Sequence, residues 1–186
     1  MTENPAHRDL VDAIADNWRN EMPGMDSVEY QLARRATRLG NLVEDALAST
    51  LVPWRLTGAD FGVLNTLRAA GVPYELRPSD LKVRLLLTSG GVSNVLTRLG
   101  KAGLVERERD SSDGRSSWVR LTPAGVEVAE ATARAWADAL SDMFRRVRSE
   151  VSQEASDTLR SVLIALGDLE PAHVQAARES RGRAGN

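Results

Sequence analysis

Val92, Val95, Leu96 and Leu99 recur at the spacing of one helix face, while Ser89, Ser93, Asn94, Thr97 and Arg98 fall off that stripe. The pattern predicts a helix that opens at Thr88, whose hydroxyl can cap free backbone N–H groups. The helix closes at Gly103, a residue type that tolerates the left-handed conformation beyond a C-terminus. One face is therefore buried, and the other carries small hydroxyls, an amide and a guanidinium. Ahead of it, Pro78 suits the first turn of a short helix holding Leu81, Leu85 and Leu86 and ending near Leu87. Behind it, residues 104–110 and 117–121 predict two strands around a polar turn at 111–116. Trp118 and Leu121 are apolar there, and Arg107, Arg109 and Arg120 supply charge. Two helices in tandem followed by a ribbon make a winged helix-turn-helix pattern.

The flanks are helical. Leu10, Val11, Ile14 and Trp18 predict an amphipathic helix within residues 6–20, broken by Met22-Pro23-Gly24. Asp26 or Ser27 caps a longer helix to about Thr50, with Leu32, Ala36, Leu39, Val43 and Ala46 in near-heptad series and Pro53 at its end. Thr57 caps a third helix, with Phe61, Leu64 and Leu67 inward, and residues 72–74 read as a loop. Thr122-Pro123 restarts helix, and Val126, Ala129, Ala133, Trp136, Leu140, Met143 and Val147 then form a coiled-coil-like seam. A single small lobe cannot cover so long a seam, so part of it should meet another helix or chain. Ser152 caps a last helix with Leu159, Val162, Leu166 and Leu169 inward.

This order gives a mainly α fold with a small β-wing. Its expected divisions are an N-terminal helical extension (1–25), the first part of a dimerisation region (26–56) and a winged lobe (57–122). C-terminal dimerisation helices (123–170) and a disordered polar tail (171–186) follow.

Charge sharpens the picture. The chain carries a net −2, yet residues 78–121 hold eight basic and five acidic side chains, leaving −5 for the remainder. One lobe is basic and the rest acidic, which suits a polyanion at that lobe. There are no cysteines and two histidines, His7 and His173, near opposite ends. No cofactor, metal site or nucleophile–base pair is expected, so an enzyme is not the reading. The N-terminus has no apolar leader, and no run approaches the ~20 apolar residues of a membrane span, which places the chain in the cytoplasm with no membrane partner.

The stretch SNVLTRLGKAGLVERERDSSDGRSSWVRLTPAG resembles the multiple-antibiotic-resistance regulator (MarR) family in its recognition helix, Gly-Leu-Val exit, Asp-x-x-Asp-x-Arg wing and Leu-Thr-Pro-x-Gly restart. The resemblance covers roughly residues 30–169. It implies a homodimer bound to double-stranded DNA at an inverted-repeat operator, acting as a repressor that a small aromatic or anionic ligand releases. It places Ser93, Asn94, Thr97 and Arg98 on the recognition face, Asp113 as the residue that shapes the wing, and Arg115 in the minor groove. Ser89, Lys101 and Arg107 are further candidate DNA contacts. For Arg98 an ion pair within the lobe is the alternative to DNA. Trp18, Tyr30, Arg34, Trp54 and Arg55 could line an effector pocket, against the alternative of core packing plus surface charge. Trp136 belongs to the core or a dimer interface, and Glu106 and Glu108 to the edge charge of the ribbon. Departures from the family pattern are Gly90 and Gly91 in the first turn of the recognition helix and Gly114 in place of a second wing arginine. Gly62 stands where a urate-responsive branch has an aspartate, so urate is not implied. A winged module that docks protein, or a non-specific architectural DNA binder, is the alternative function.

Overall fold

The computed structural model describes residues 8–109 and 117–169, with Arg109 and Ser117 described by backbone alone. The chain divides into two compact units, Met1–Trp54 and Arg55–Asn186.

In the first unit, helix α1 (Leu10–Glu21) starts at a capping box. Asp9 accepts from the Asp12 N–H, and the Asp12 carboxylate accepts from the Asp9 N–H. Helix α2 (Val28–Leu51) is capped by Ser27. A single 3₁₀ turn, Val52–Trp54, follows it, where Pro53 stops the α-helix. Arg35 of α2 ties the two helices together, reaching Asp9 at 2.8 Å and Asp12 at 2.5 Å. That guanidinium holds Asp9 below the usual carboxylate range. Arg8 pairs with Asp16, which is likewise held low. Of the near-heptad series on α2, Leu32, Ala36 and Leu39 are exposed and Val43 and Ala46 are half-buried; Leu42 beside it is exposed as well.

The second unit opens with α3 (Gly58–Ala69), capped by Thr57. Strand β1 (Glu75–Leu76) follows, then α4 (Pro78–Arg84) and α5 (Ser89–Lys101). Strands β2 (Val105–Arg109) and β3 (Ser117–Leu121) come next, and α6 (Pro123–Phe144) and α7 (Ser149–Ala165) complete the order. The sheet is antiparallel with order β1-β3-β2, Glu75 facing Arg120 and Arg107 facing Val119. So the ribbon expected from the sequence has a third strand. β1 is two residues long, too short to show a period of its own, and its pairing partner β3 lies more than 40 residues away. Arg120 spans the sheet between Glu75 (2.8 Å) and Glu108 (3.0 Å).

The core joins Val63, Leu64 and Leu67 of α3 to Leu81 of α4, the whole stripe of α5, Val105, Val119 and Leu121 of the sheet, and Ala129 of α6. Phe61, expected inward, is half-buried instead and meets Trp136 edge-on, ring centroids 6.4 Å apart. Val63 takes the buried position.

Helix α4 ends three residues before the sequence suggests. The Leu86 N–H bonds to the Val83 carbonyl and the Leu87 N–H to the Lys82 carbonyl, a Schellman closure with Leu86 at φ +52°. Glycine normally occupies that place. Because Leu86 is 85% exposed, its side chain gains little from packing. Leu86→Gly is expected to stabilise the unit by about 0.5–1 kcal/mol, the relief of left-handed strain less glycine's greater unfolded-state freedom. Thermal unfolding checks it, and a lower midpoint would contradict the strain.

Three expectations for the C-terminal helices are corrected. The first concerns the start of α7: it begins at Ser149 after Arg148, and Ser152 lies in its first turn, its N–H already bonded to the Arg148 carbonyl. The second concerns its apolar positions. Leu159 and Val162 are half-buried, but Leu166 and Leu169 lie past the end of the helix and are exposed, 79% and 63%. The seam of α6 stops at Phe144, so Val147 lies outside it. Among the described residues no helix is long and apolar enough to cross a membrane.

Candidate nucleic-acid interface

Helix α5 stands with its two faces sharply separated. Val92, Val95, Leu96 and Leu99 are buried, and Ser89, Ser93, Asn94, Thr97, Arg98 and Lys101 are all exposed. Thr88 caps the helix by accepting from the Gly91 N–H at 3.0 Å. Gly103 at φ +70° closes it, and the Leu104 N–H bonds back to the Leu99 carbonyl. Burial of the apolar stripe in the core holds the polar face outward.

The polar side chains are not equivalent. The Thr97 hydroxyl donates to the Ser93 carbonyl at 2.8 Å, so its proton is used within the helix. Arg98 makes an ion pair within the lobe rather than standing free: its Nε and Nη2 reach Asp60 Oδ1 at 2.9 and 2.7 Å, and Nη2 reaches Thr57 at 3.3 Å. Asp60 is 1% exposed and also accepts from the backbone N–H and hydroxyl of Thr57. One buried carboxylate thus caps α3 and grips α5. The sequence reading did not single it out. A Thr-x-x-Asp capping box was the available signal.

On the α4 side, Ser89, Ser93 and Arg107 meet Ser79 and Lys82 around a cavity of about 400 Å³ floored by Val92 and Leu96. Three hydroxyls and two cations are a donor set that suits a phosphate or carboxylate oxygen. Ser79 and Lys82 were missed, because a short helix of seven residues shows no clear polar face. Lys101 sits in the last turn of α5, exposed.

Asp113 and Arg115 lie outside the described residues. Of the suggested effector residues, Trp18 and Tyr30 are brought together within the first unit, the indole N–H donating to the phenol oxygen at 3.0 Å. Arg34 is exposed on α2, Trp54 is half-buried at the end of the 3₁₀ turn, and Arg55 is exposed at φ +55°. Gly62 packs toward Leu85, whose Cδ2 would stand 3.1 Å from a Cβ there. No group of His, Cys, Asp or Glu among the described residues is arranged to hold a metal ion.

The MarR family model matches residues 56–116, from the start of the second unit to the residue before β3. Over 111 residues the chain is 31% identical to the multiple antibiotic resistance protein MarR of Salmonella typhimurium, spanning 60% of this chain and 70% of that one. The chain belongs to the MarR family. It is also 28% identical over 153 residues to the HTH-type transcriptional regulator PecS of Dickeya dadantii, covering 82% of this chain and 90% of PecS. Among solved structures, the MarR family regulator Sco3205 of Streptomyces coelicolor, in complex with DNA, superposes with a TM-score of 0.67 at 29% identity. It covers 79% of this chain and 95% of its own. The MarR relatives are transcription regulators rather than enzymes, and this chain is a MarR-family transcriptional regulator with a mainly helical winged-helix fold.

Proposed function

We propose that this regulator binds duplex DNA sequence-specifically as a homodimer and represses transcription until a small aromatic or anionic ligand releases it. The observation that carries the reading is the exposed polar face of α5 over a fully buried stripe, in a lobe with excess positive charge. Similarity to a family member solved on DNA supports it. Each recognition helix enters a major groove, and the two half-sites lie about 34–36 Å apart, one helical turn. Asn94 and Thr97 face base edges, while Ser89, Ser93, Lys101 and Arg107 meet phosphates and Arg115 grips the flanking minor groove.

The dimer is supported by apolar side chains without cover in their own unit: Leu32, Leu39 and Leu42 on α2, and Val151, Leu163 and Ile164 on α7. A second copy is the partner, through the helices of residues 26–56 and 123–170, with residues 1–25 as an extension of the first group. The ligand acts by binding better to a dimer whose lobes are wrongly spaced for the operator, which shifts the population off DNA.

Selection of bound duplexes from a random pool, followed by release with a panel of aromatic carboxylates and phenolates, tests the whole reading. Recovery of no common inverted repeat would sink it, and so would a chain that sediments as a monomer at binding concentrations. Arg115→Ala is expected to weaken selected and scrambled duplexes alike, by about five- to tenfold, and to lower the salt slope by about 1. Binding equal to wild type would remove the wing from the interface.

A further inference from the structure

We infer that Asn94 is the specificity-determining residue of the recognition helix and that it reads an adenine, with Arg98 withdrawn from base reading by Asp60. The inference rests on the DNA-binding reading above and goes further, because it names the base pair.

α5 carries two cations, Arg98 and Lys101. The Arg98 fork is closed on a carboxylate that is 1% exposed and itself bonded to the start of α3. Taking the guanidinium to a base edge would leave that carboxylate buried and short of its main partner, a cost that a guanine contact would have to exceed. Lys101 lies at the C-terminal end, whereas base edges are met by the first turns of a recognition helix. So the commonest guanine contact, a cation on O6 and N7, is not offered by the part of α5 that enters the groove. Thr97 has spent its proton on the Ser93 carbonyl and presents a methyl group and an acceptor. Ser89 and Ser93 line the cavity shared with Arg107 and Lys82, the phosphate-like donor set. What remains in the second turn is Asn94. It is exposed, and it is the one described side chain of α5 with an amide's paired donor and acceptor. That pair matches adenine N7 and N6, and the Thr97 methyl one turn on suits a thymine methyl.

The test uses the full chain and the duplex it selects from a random pool, with each base pair then replaced in turn. In wild type, one A·T pair per half-site should cost roughly 5- to 150-fold in affinity when changed to G·C, the span of a bidentate base contact. In Asn94→Ala that penalty should fall below twofold while the other penalties stay. The double variant Asp60→Asn with Arg98→Gln removes the guanidinium without leaving a buried unpaired carboxylate, and it should keep every wild-type penalty within twofold. Asn94→Ala retaining all penalties would overturn the inference. Loss of a G·C preference in the double variant would also overturn it, by showing that Arg98 leaves Asp60 for guanine. A wild-type chain with no preference at any position would overturn both this inference and the DNA-binding reading beneath it, which separates the two kinds of failure.

Discussion

Gly125→Ala is expected to destabilise the second unit by about 3 kcal/mol or more, at or beyond the upper end of ordinary overpacking. A Cβ at Gly125 would stand 1.9 Å from the Leu104 carbonyl oxygen and 3.0 Å from its carbon. These are backbone atoms, so no rotamer change can clear them. The Leu104 oxygen also accepts from the Thr122 N–H at 3.1 Å, and the Thr122 hydroxyl donates to the Gly103 carbonyl at 2.7 Å. Thr122 caps α6 through the Gly125 N–H as well. Moving the Leu104 carbonyl therefore loosens the clasp between the exit of α5 and the start of α6. For a unit of this size the midpoint of thermal unfolding should fall by roughly 10 °C. A midpoint within two degrees of wild type would mean that the close approach is relieved cheaply and is not what demands glycine. Ala124→Ser, one residue earlier and exposed, serves as the neutral control.

Asp60→Ala should cost about 2–3 kcal/mol, the range for hydrogen bonds that involve a charged partner. It removes the reciprocal half of the α3 capping box and the carboxylate that pairs with Arg98. The loss is smaller than for a fully buried pair because Arg98 is half exposed and water can replace part of its contact. Asp60→Asn keeps an acceptor for the Thr57 N–H and should recover part of the loss. Urea unfolding of the two variants checks the order. If alanine and asparagine are equally destabilising, the ion pair rather than the cap supplies the stability. If neither differs from wild type, the buried carboxylate has no role in holding α5.

The motif Leu-Thr-Pro-x-Gly shows how a local signal and a distant contact share one stretch. Thr122 as cap and Pro123 in the first turn are legible from the letters alone, since both act on the backbone of their own helix. The need for glycine at 125 is not legible in that way. It arises from a carbonyl 21 residues earlier, brought within contact distance by the core. The same division runs through the site. Thr88, the stripe of α5 and Gly103 depend on neighbours within one or two turns, and the helix forms over Ser89–Lys101 as its periodicity predicts. Arg98 depends on Asp60, 38 residues away, and its sequence context favoured a DNA contact with the ion pair as the alternative.

The order of helices, the caps at Ser27, Thr57, Thr88 and Thr122, and the identity of the outward face of α5 were determined by the sequence itself. Each follows from the pitch of a helix and from side chains that bond their own backbone. Tertiary structure alone decided that two residues before α4 join the sheet and that Leu86 adopts a glycine conformation. It likewise decided that Gly125 can bear no side chain and that the guanidinium of the recognition helix is held by a buried carboxylate of α3. These features come from packing segments distant along the chain, and nothing within a single turn of helix or strand encodes them.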